Sequence, residues 1–153
     1  MSFVHKSIWV QFLITAFIAY SYGSEFVHLF STEQLNDDSF TSLLFSTVIK
    51  LVILNIFVNT IVAILSNKDE VEQESDERDV LINLKGGNVA YNMLSAWVVF
   101  IIVSLWATSL GKSLYHFDTL SGEFNILNIL LVGFLVVEII RFSYQLFHYH
   151  KGV

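Results

Sequence analysis

Three ionisable side chains lie inside long apolar runs, where a charge is unusual: Lys50, Glu138 and Arg141. A charged side chain near the centre of a bilayer costs about 2.5–3.5 kcal/mol on insertion scales, so such residues usually face protein or water. Glu138 and Arg141 are three residues apart, which places them on one face of a helix where they can pair. Lys50 and Glu138 differ in predicted depth by roughly 6 Å. The pattern predicts that Lys50 and Arg141 share Glu138, either as a structural contact or as a proton- or ion-coupled site.

Polar side chains without charge also interrupt the apolar runs: Gln11, Asn55, Asn59, Asn92 and Gln145. Within a membrane such groups usually hydrogen-bond between helices, and each bond contributes about 0.6–2 kcal/mol. Asn55 and Asn59 are one helical turn apart and point away from Lys50. The second apolar run is therefore polar on two sides. This predicts that it forms either the centre of a helix bundle or the contact between two copies.

A charged motif precedes the third apolar run: Asp76, Glu77, Arg78, Asp79 and Lys85. Ser75 or Asp76 is a suitable N-cap, and acidic residues in a first helical turn interact favourably with the helix dipole. The pattern predicts an amphipathic helix on the membrane surface with a bend at Gly86-Gly87, because glycine weakens a helix. The alternative is a soluble charged loop. We expect Arg78 to form ion pairs with acids, at the span ends of the same chain or on a second copy.

The elements that must position these residues are four apolar segments. The chain is 54% hydrophobic and only 14% charged, and its mean hydropathy is +0.62. Its hydrophobic fraction exceeds that of ordinary soluble domains. The sequence predicts an all-α polytopic membrane protein, residues 1–153 forming a single domain of four transmembrane helices. The predicted spans cover about 7–22, 40–66, 89–110 and 124–148, with a cytoplasmic connector over 67–88.

The positive-inside rule orients this arrangement. The N-terminus, the connector and the tail hold five of the Lys and Arg residues outside the apolar runs: Lys6, Lys68, Arg78, Lys85 and Lys151. The other two loops hold only Lys112. We therefore expect both termini and the connector to face the cytoplasm.

One resemblance extends this interpretation. Asp76-Glu77-Arg78-Asp79, followed by an Ile, a Lys-Gly and an Ala-Tyr pair, resembles the DERD…I..KG…AY signature of an uncharacterised family of small bacterial membrane proteins with about four spans. The resemblance covers some 16 residues and departs from the family pattern at Asn83 and Asn88. It implies a bacterial plasma (inner) membrane protein and carries no assigned activity.

Composition also excludes several function classes. The chain contains no Cys, which removes thiolate metal sites and cysteine catalysis. Its net charge is −6, with seven of the 14 acidic residues between Asp69 and Asp79, and no basic stripe indicates nucleic-acid binding. No nucleophile–base or phosphate-loop motif is present. We expect no enzyme activity, cofactor or metal, and predict an oligomeric interaction or accessory subunit in the lipid bilayer, partnered by itself or by another membrane protein. The alternative is a small ion-coupled transporter that uses Glu138.

Overall fold

A computed structural model describes residues 3–65, 77–110 and 120–151 of the chain. Its helices are α1 (Phe3–Ser31), α2 (Asp37–Leu65), α3 (Glu77–Ser109) and α4 (Gly122–Lys151). Three of them are long and apolar enough to cross a membrane, namely Asp37–Val58 of α2 and the whole of α3 and α4. The structure therefore confirms an all-α protein, with three helices among the described residues that are long and apolar enough to span a membrane.

Helices α1 and α4 share the centre of the packing. Helix α4 packs on α1 and α3, and α1 packs on α4 and α2. Of the apolar window of α4, 33% is buried inside the protein, compared with 11% for α2 and for α3. The prediction that the second apolar run forms the bundle centre is therefore wrong for the single chain. The first and last helices take that place, and Gly133 and Asn128 of α4 make close contacts on its two sides.

The helices begin and end at local signals. Asn36 and Ser39 cap α2 reciprocally, since Ser39 N donates to Asn36 Oδ1 and Asn36 N donates to Ser39 Oγ. The tight connection before them includes Glu33, whose φ of 57° lies in the left-handed region. Helix α1 continues through Gly23 to Ser31, beyond the predicted first span. The helices are thus longer than the apolar runs that predict them.

Helix α3 begins in the charged motif and runs without interruption into the third apolar run. Residues 77–88, predicted as part of a separate connector with a bend at Gly86-Gly87, form its first turns. Residues 67–76, including Asp76, lie outside the described part of the chain. Gly86 is buried against α4. A glycine is needed at this position because α3 and α4 approach each other closely, and not because α3 bends there.

Helices α1 and α4 lie side by side over most of their length. At one end, the His5 ring stacks on Tyr149 with centroids 4.5 Å apart. At the other end, the Tyr22 hydroxyl donates to Asn128 Oδ1 at 2.6 Å. The start of α2 joins this second end, where the Phe40 ring lies edge-on to Phe124 and Asp37 Oδ1 accepts from Ser121 N. Between these contacts lies a core that includes Ile18, Leu43 and Leu135.

Candidate functional site

Charged and aromatic side chains from three helix ends meet in one cluster, formed by His5, Arg78, Asp79 and Tyr149. The Tyr149 hydroxyl donates to Asp79 Oδ1 at 2.7 Å, and Asp79 is only 6% exposed. Arg78 donates to the Tyr149 carbonyl at 3.2 Å, and its guanidinium lies 5.9 Å from the Tyr149 ring centroid. Partial burial is the main cause that lowers the pKa of His5. This junction cluster ties the starts of α1 and α3 to the end of α4, so part of the charged motif contacts a helix end of the same chain.

A second polar contact follows one turn further along α3. Gln145 Nε2 donates to Asn83 Oδ1 at 3.1 Å, and Gln145 is only 1% exposed. Its side chain lies directly against Gly86, where an added Cβ would come within 2.6 Å of Gln145 Cγ. The same Cβ at Gly87 would meet open space. The two adjacent glycines therefore have different roles, and only Gly86 is required for the close contact between α3 and α4.

We expect Gly86→Ala to destabilise the protein by about 1–2 kcal/mol, because the new methyl displaces Gln145 and breaks its bond to Asn83. Gly87→Ala is the matched control and should be neutral or stabilising by about 0.5–1 kcal/mol, since alanine favours the helix. Denaturant titration of both variants in mild detergent, followed by circular dichroism, measures the difference. Equal effects of the two substitutions would contradict the close contact at Gly86.

The ion pair predicted within α4 is present. Arg141 Nη1 lies 3.3 Å from Glu138 Oε2, and the guanidinium packs on the Phe142 ring at 5.4 Å. In the described part of the chain, no ion pair joins Lys50 to Glu138, because α2 packs mainly on α1. Of the two predicted ion pairs of Glu138, the described structure therefore shows the pair with Arg141 and not the pair with Lys50.

The remaining predicted residues are spread over the molecule. Gln11 donates to Ser7 Oγ on its own helix, and Asn55 donates to the Leu51 carbonyl one turn earlier. The side chain of Asn59 lies outside the described part. Glu77 and Lys85 are exposed at the start of α3. The structure thus brings Gln145, Arg78 and Asp79 to the α3–α4 contact and leaves these others apart.

The sequence interpretation missed two contacts of α4. Asn125 and Asn128 are buried near its start, where Asn125 donates to the Leu120 carbonyl and Asn128 accepts from Tyr22. Trp97 of α3 crosses α4 at Gly133, and its indole donates to the Ile129 carbonyl at 3.0 Å. Amides at helical spacing and a glycine within an apolar run are signals of helix contact in membranes. These signals were available in the sequence.

One polar face of α3 points away from the rest of the chain. Asn88, Asn92 and Ser95 are all exposed. By the 100° step of a helix they lie roughly 120–180° from Gly86, which contacts α4. We call these three residues the polar stripe. Two of them, Asn92 and Ser95, lie inside the predicted third span, where hydrocarbon would surround a single chain.

Comparison with known proteins adds no relative: no protein-family model, curated protein or solved structure matches the chain.

Proposed function

We propose that the protein is a four-span inner-membrane protein that acts through assembly, pairing with a second copy along the polar stripe of α3. The observation that carries this proposal is the outward position of Asn92 and Ser95 within an apolar helix. Polar side chains in a membrane rarely face lipid and usually hydrogen-bond to another helix. A partner helix at this face would satisfy them.

A second copy is the partner that the chemistry favours. A side-chain amide both donates and accepts hydrogen bonds, so Asn92 of one copy can pair with Asn92 of another across a twofold axis. Ser95 and the small Ala96, both exposed on the same part of α3, would allow the two helices to approach closely. The same face therefore supplies both the polar pairing and the space that it requires.

Four spans are supported by the extent of α1. Its contacts with α4 run from Tyr149 to Asn128, a separation of 21 residues or about 30 Å along α4. This equals the usual hydrocarbon thickness, so α1 crosses wherever α4 does. Because the junction cluster places the starts of α1 and α3 beside the end of α4, the Lys and Arg bias assigns all three ends to the cytoplasm.

Disulfide crosslinking in native membranes tests the proposed dimer directly, because the chain has no Cys of its own. We expect Ser95→Cys to form a covalent dimer on mild oxidation. Ser143→Cys is the matched control, since Ser143 is also exposed but lies on α4, and it should remain monomeric. Equal crosslinking at both positions, or none at Ser95, would overturn the proposal.

Loss of the stripe amide should weaken the dimer. We expect Asn92→Leu to raise the dissociation constant about tenfold, which corresponds to roughly 1.4 kcal/mol. Asn92→Gln keeps an amide and should retain most of the affinity, and Ser143→Ala, which removes an exposed hydroxyl of α4 away from the polar stripe, is the control. Native mass spectrometry over a dilution series in detergent measures the constant. A complex with a different protein through this face would replace the second copy as the partner.

The ion-coupled alternative has less support. It requires Glu138 to exchange its partner, but the described structure pairs Glu138 with Arg141 three residues away and leaves Lys50 on a helix that packs mainly on α1. The Glu138–Arg141 pair is close enough to act as a structural contact within α4. An assembly role therefore accounts for more of the observed geometry than a coupling role.

A further inference from the structure

A cavity lies between α3 and α4 near the end opposite the junction cluster. Its volume is about 630 Å³, which is within the range of small-ligand sites. The walls combine Ile101 and Leu105 of α3 with Ile126 and Ile129 of α4, and Ser104 and Thr108 add hydroxyl groups. Both helices belong to the apolar segments that can cross a membrane. In the proposed membrane location, lipid can therefore reach the cavity.

The lining changes from polar to apolar with depth. Thr108 and Glu123 lie near the helix ends, whereas Ile101 and Ile129 lie about 9–11 Å further along their helices. A lipid in a bilayer has the same order, with its polar group at the surface and its hydrocarbon inside. The gradient thus matches an amphiphile that enters from the membrane with its normal orientation.

One buried group specifies the polar part of such a ligand. Ser104 lines the cavity, is only 5% exposed, and its Oγ has no hydrogen-bond partner among the described residues. A buried hydroxyl without a partner costs about 1–3 kcal/mol; rotation of the Ser104 side chain toward a carbonyl oxygen in the cavity would remove that cost. An anionic head group is disfavoured because Glu123 stands at the cavity edge.

We infer that this cavity binds a neutral membrane lipid that carries an ester carbonyl, with its chain along Ile101 and Ile129 and its carbonyl on the Ser104 hydroxyl. The inference rests on the membrane location in the proposed function and not on the dimer. Ser104 acts as a hydrogen-bond donor, and the isoleucines of α4 form the opposite wall. No covalent step is involved.

A photoreactive monoacylglycerol with a diazirine in its chain tests this inference in the purified protein. We expect labelling to concentrate in residues 101–108 and 122–129, and excess unlabelled monoacylglycerol to prevent it. Ile126→Trp should fill the cavity and lower the labelling at least ~5-fold, by loss of the ligand volume. Ile102→Trp, which changes an exposed residue of α3 outside the cavity lining, should leave it unchanged.

Ser104→Ala should weaken competition by the unlabelled lipid about three- to tenfold, as expected for one hydrogen bond. Labelling spread evenly over all lipid-facing residues, or unaffected by Ile126→Trp, would overturn the site, and an unchanged Ser104→Ala would overturn its carbonyl recognition. Leu105→Trp replaces Ile126→Trp if the latter does not fold. Asn92→Leu should retain full labelling, which separates failure of this site from failure of the proposed dimer.

Discussion

Gly133→Ala should destabilise the protein by about 2–3 kcal/mol, the largest effect that we expect from a single methyl group. An added Cβ at Gly133 would overlap the Trp97 indole at its nitrogen and two adjacent carbons. The indole would have to move, and its hydrogen bond to the Ile129 carbonyl would break. Denaturant titration in detergent, followed by Trp fluorescence and circular dichroism, measures the change.

Gly23→Ala is the control for this prediction, because Gly23 is also helical but an added Cβ there meets nothing within 4 Å. It should be neutral or slightly stabilising. Trp97→Phe in the Gly133→Ala background should recover part of the loss, since the smaller ring leaves room for the methyl. Equal stability of Gly133→Ala and Gly23→Ala would contradict the close packing of α3 on α4.

Tyr149→Phe should destabilise the protein by about 2 kcal/mol, because it removes a hydrogen bond to a buried carboxylate while keeping the aromatic ring. The Asp79 side chain is 6% exposed and accepts the Tyr149 hydroxyl at 2.7 Å. The stacked His5 ring and the Arg78 guanidinium would retain their aromatic contact. The expected loss therefore reports the Tyr149–Asp79 bond rather than packing.

A double-mutant cycle isolates this bond. We expect Asp79→Asn combined with Tyr149→Phe to be less destabilised than the sum of the two single variants, because the pair acts together. Glu77→Gln changes an exposed acid two residues away and should alter stability by less than about 0.5 kcal/mol. Strict additivity of the Asp79 and Tyr149 substitutions would show that the contact contributes nothing to stability.

Contacts within one helix were predictable, whereas the partners of contacts between helices were not. The spacing of Glu138 and Arg141 places them together on any helix, and the structure shows that pair. The bond between Asp79 and Tyr149 joins residues 70 positions apart. Sequence periodicity indicates which face of a helix is polar but not which other helix it meets.

The two adjacent glycines of α3 also show that contacts between helices limit what the sequence alone can predict. A pair of glycines in a helical segment predicts a bend from intrinsic propensity. The described structure instead uses Gly86 to accommodate the buried Gln145 side chain, while α3 continues through both glycines. Helix propensity describes an isolated helix. In this protein the close packing of α4 on α3 outweighs the tendency of the two glycines to bend the helix. The polar stripe was visible in the sequence as Asn92 and Ser95, but its outward direction required the position of α4.

The position of α4 between α1 and α3 determines the order in which the protein can be completed during synthesis. Helices α1 and α2 are made first and pack on each other, but α3 packs on α4 and only slightly on the helices made before it. While the ribosome is still translating residues 122–151, α3 therefore has no main packing partner in its own chain. The polar stripe and the α4-facing surface of α3 are then both exposed in the bilayer, and the nascent chain depends on its final helix to join its two halves.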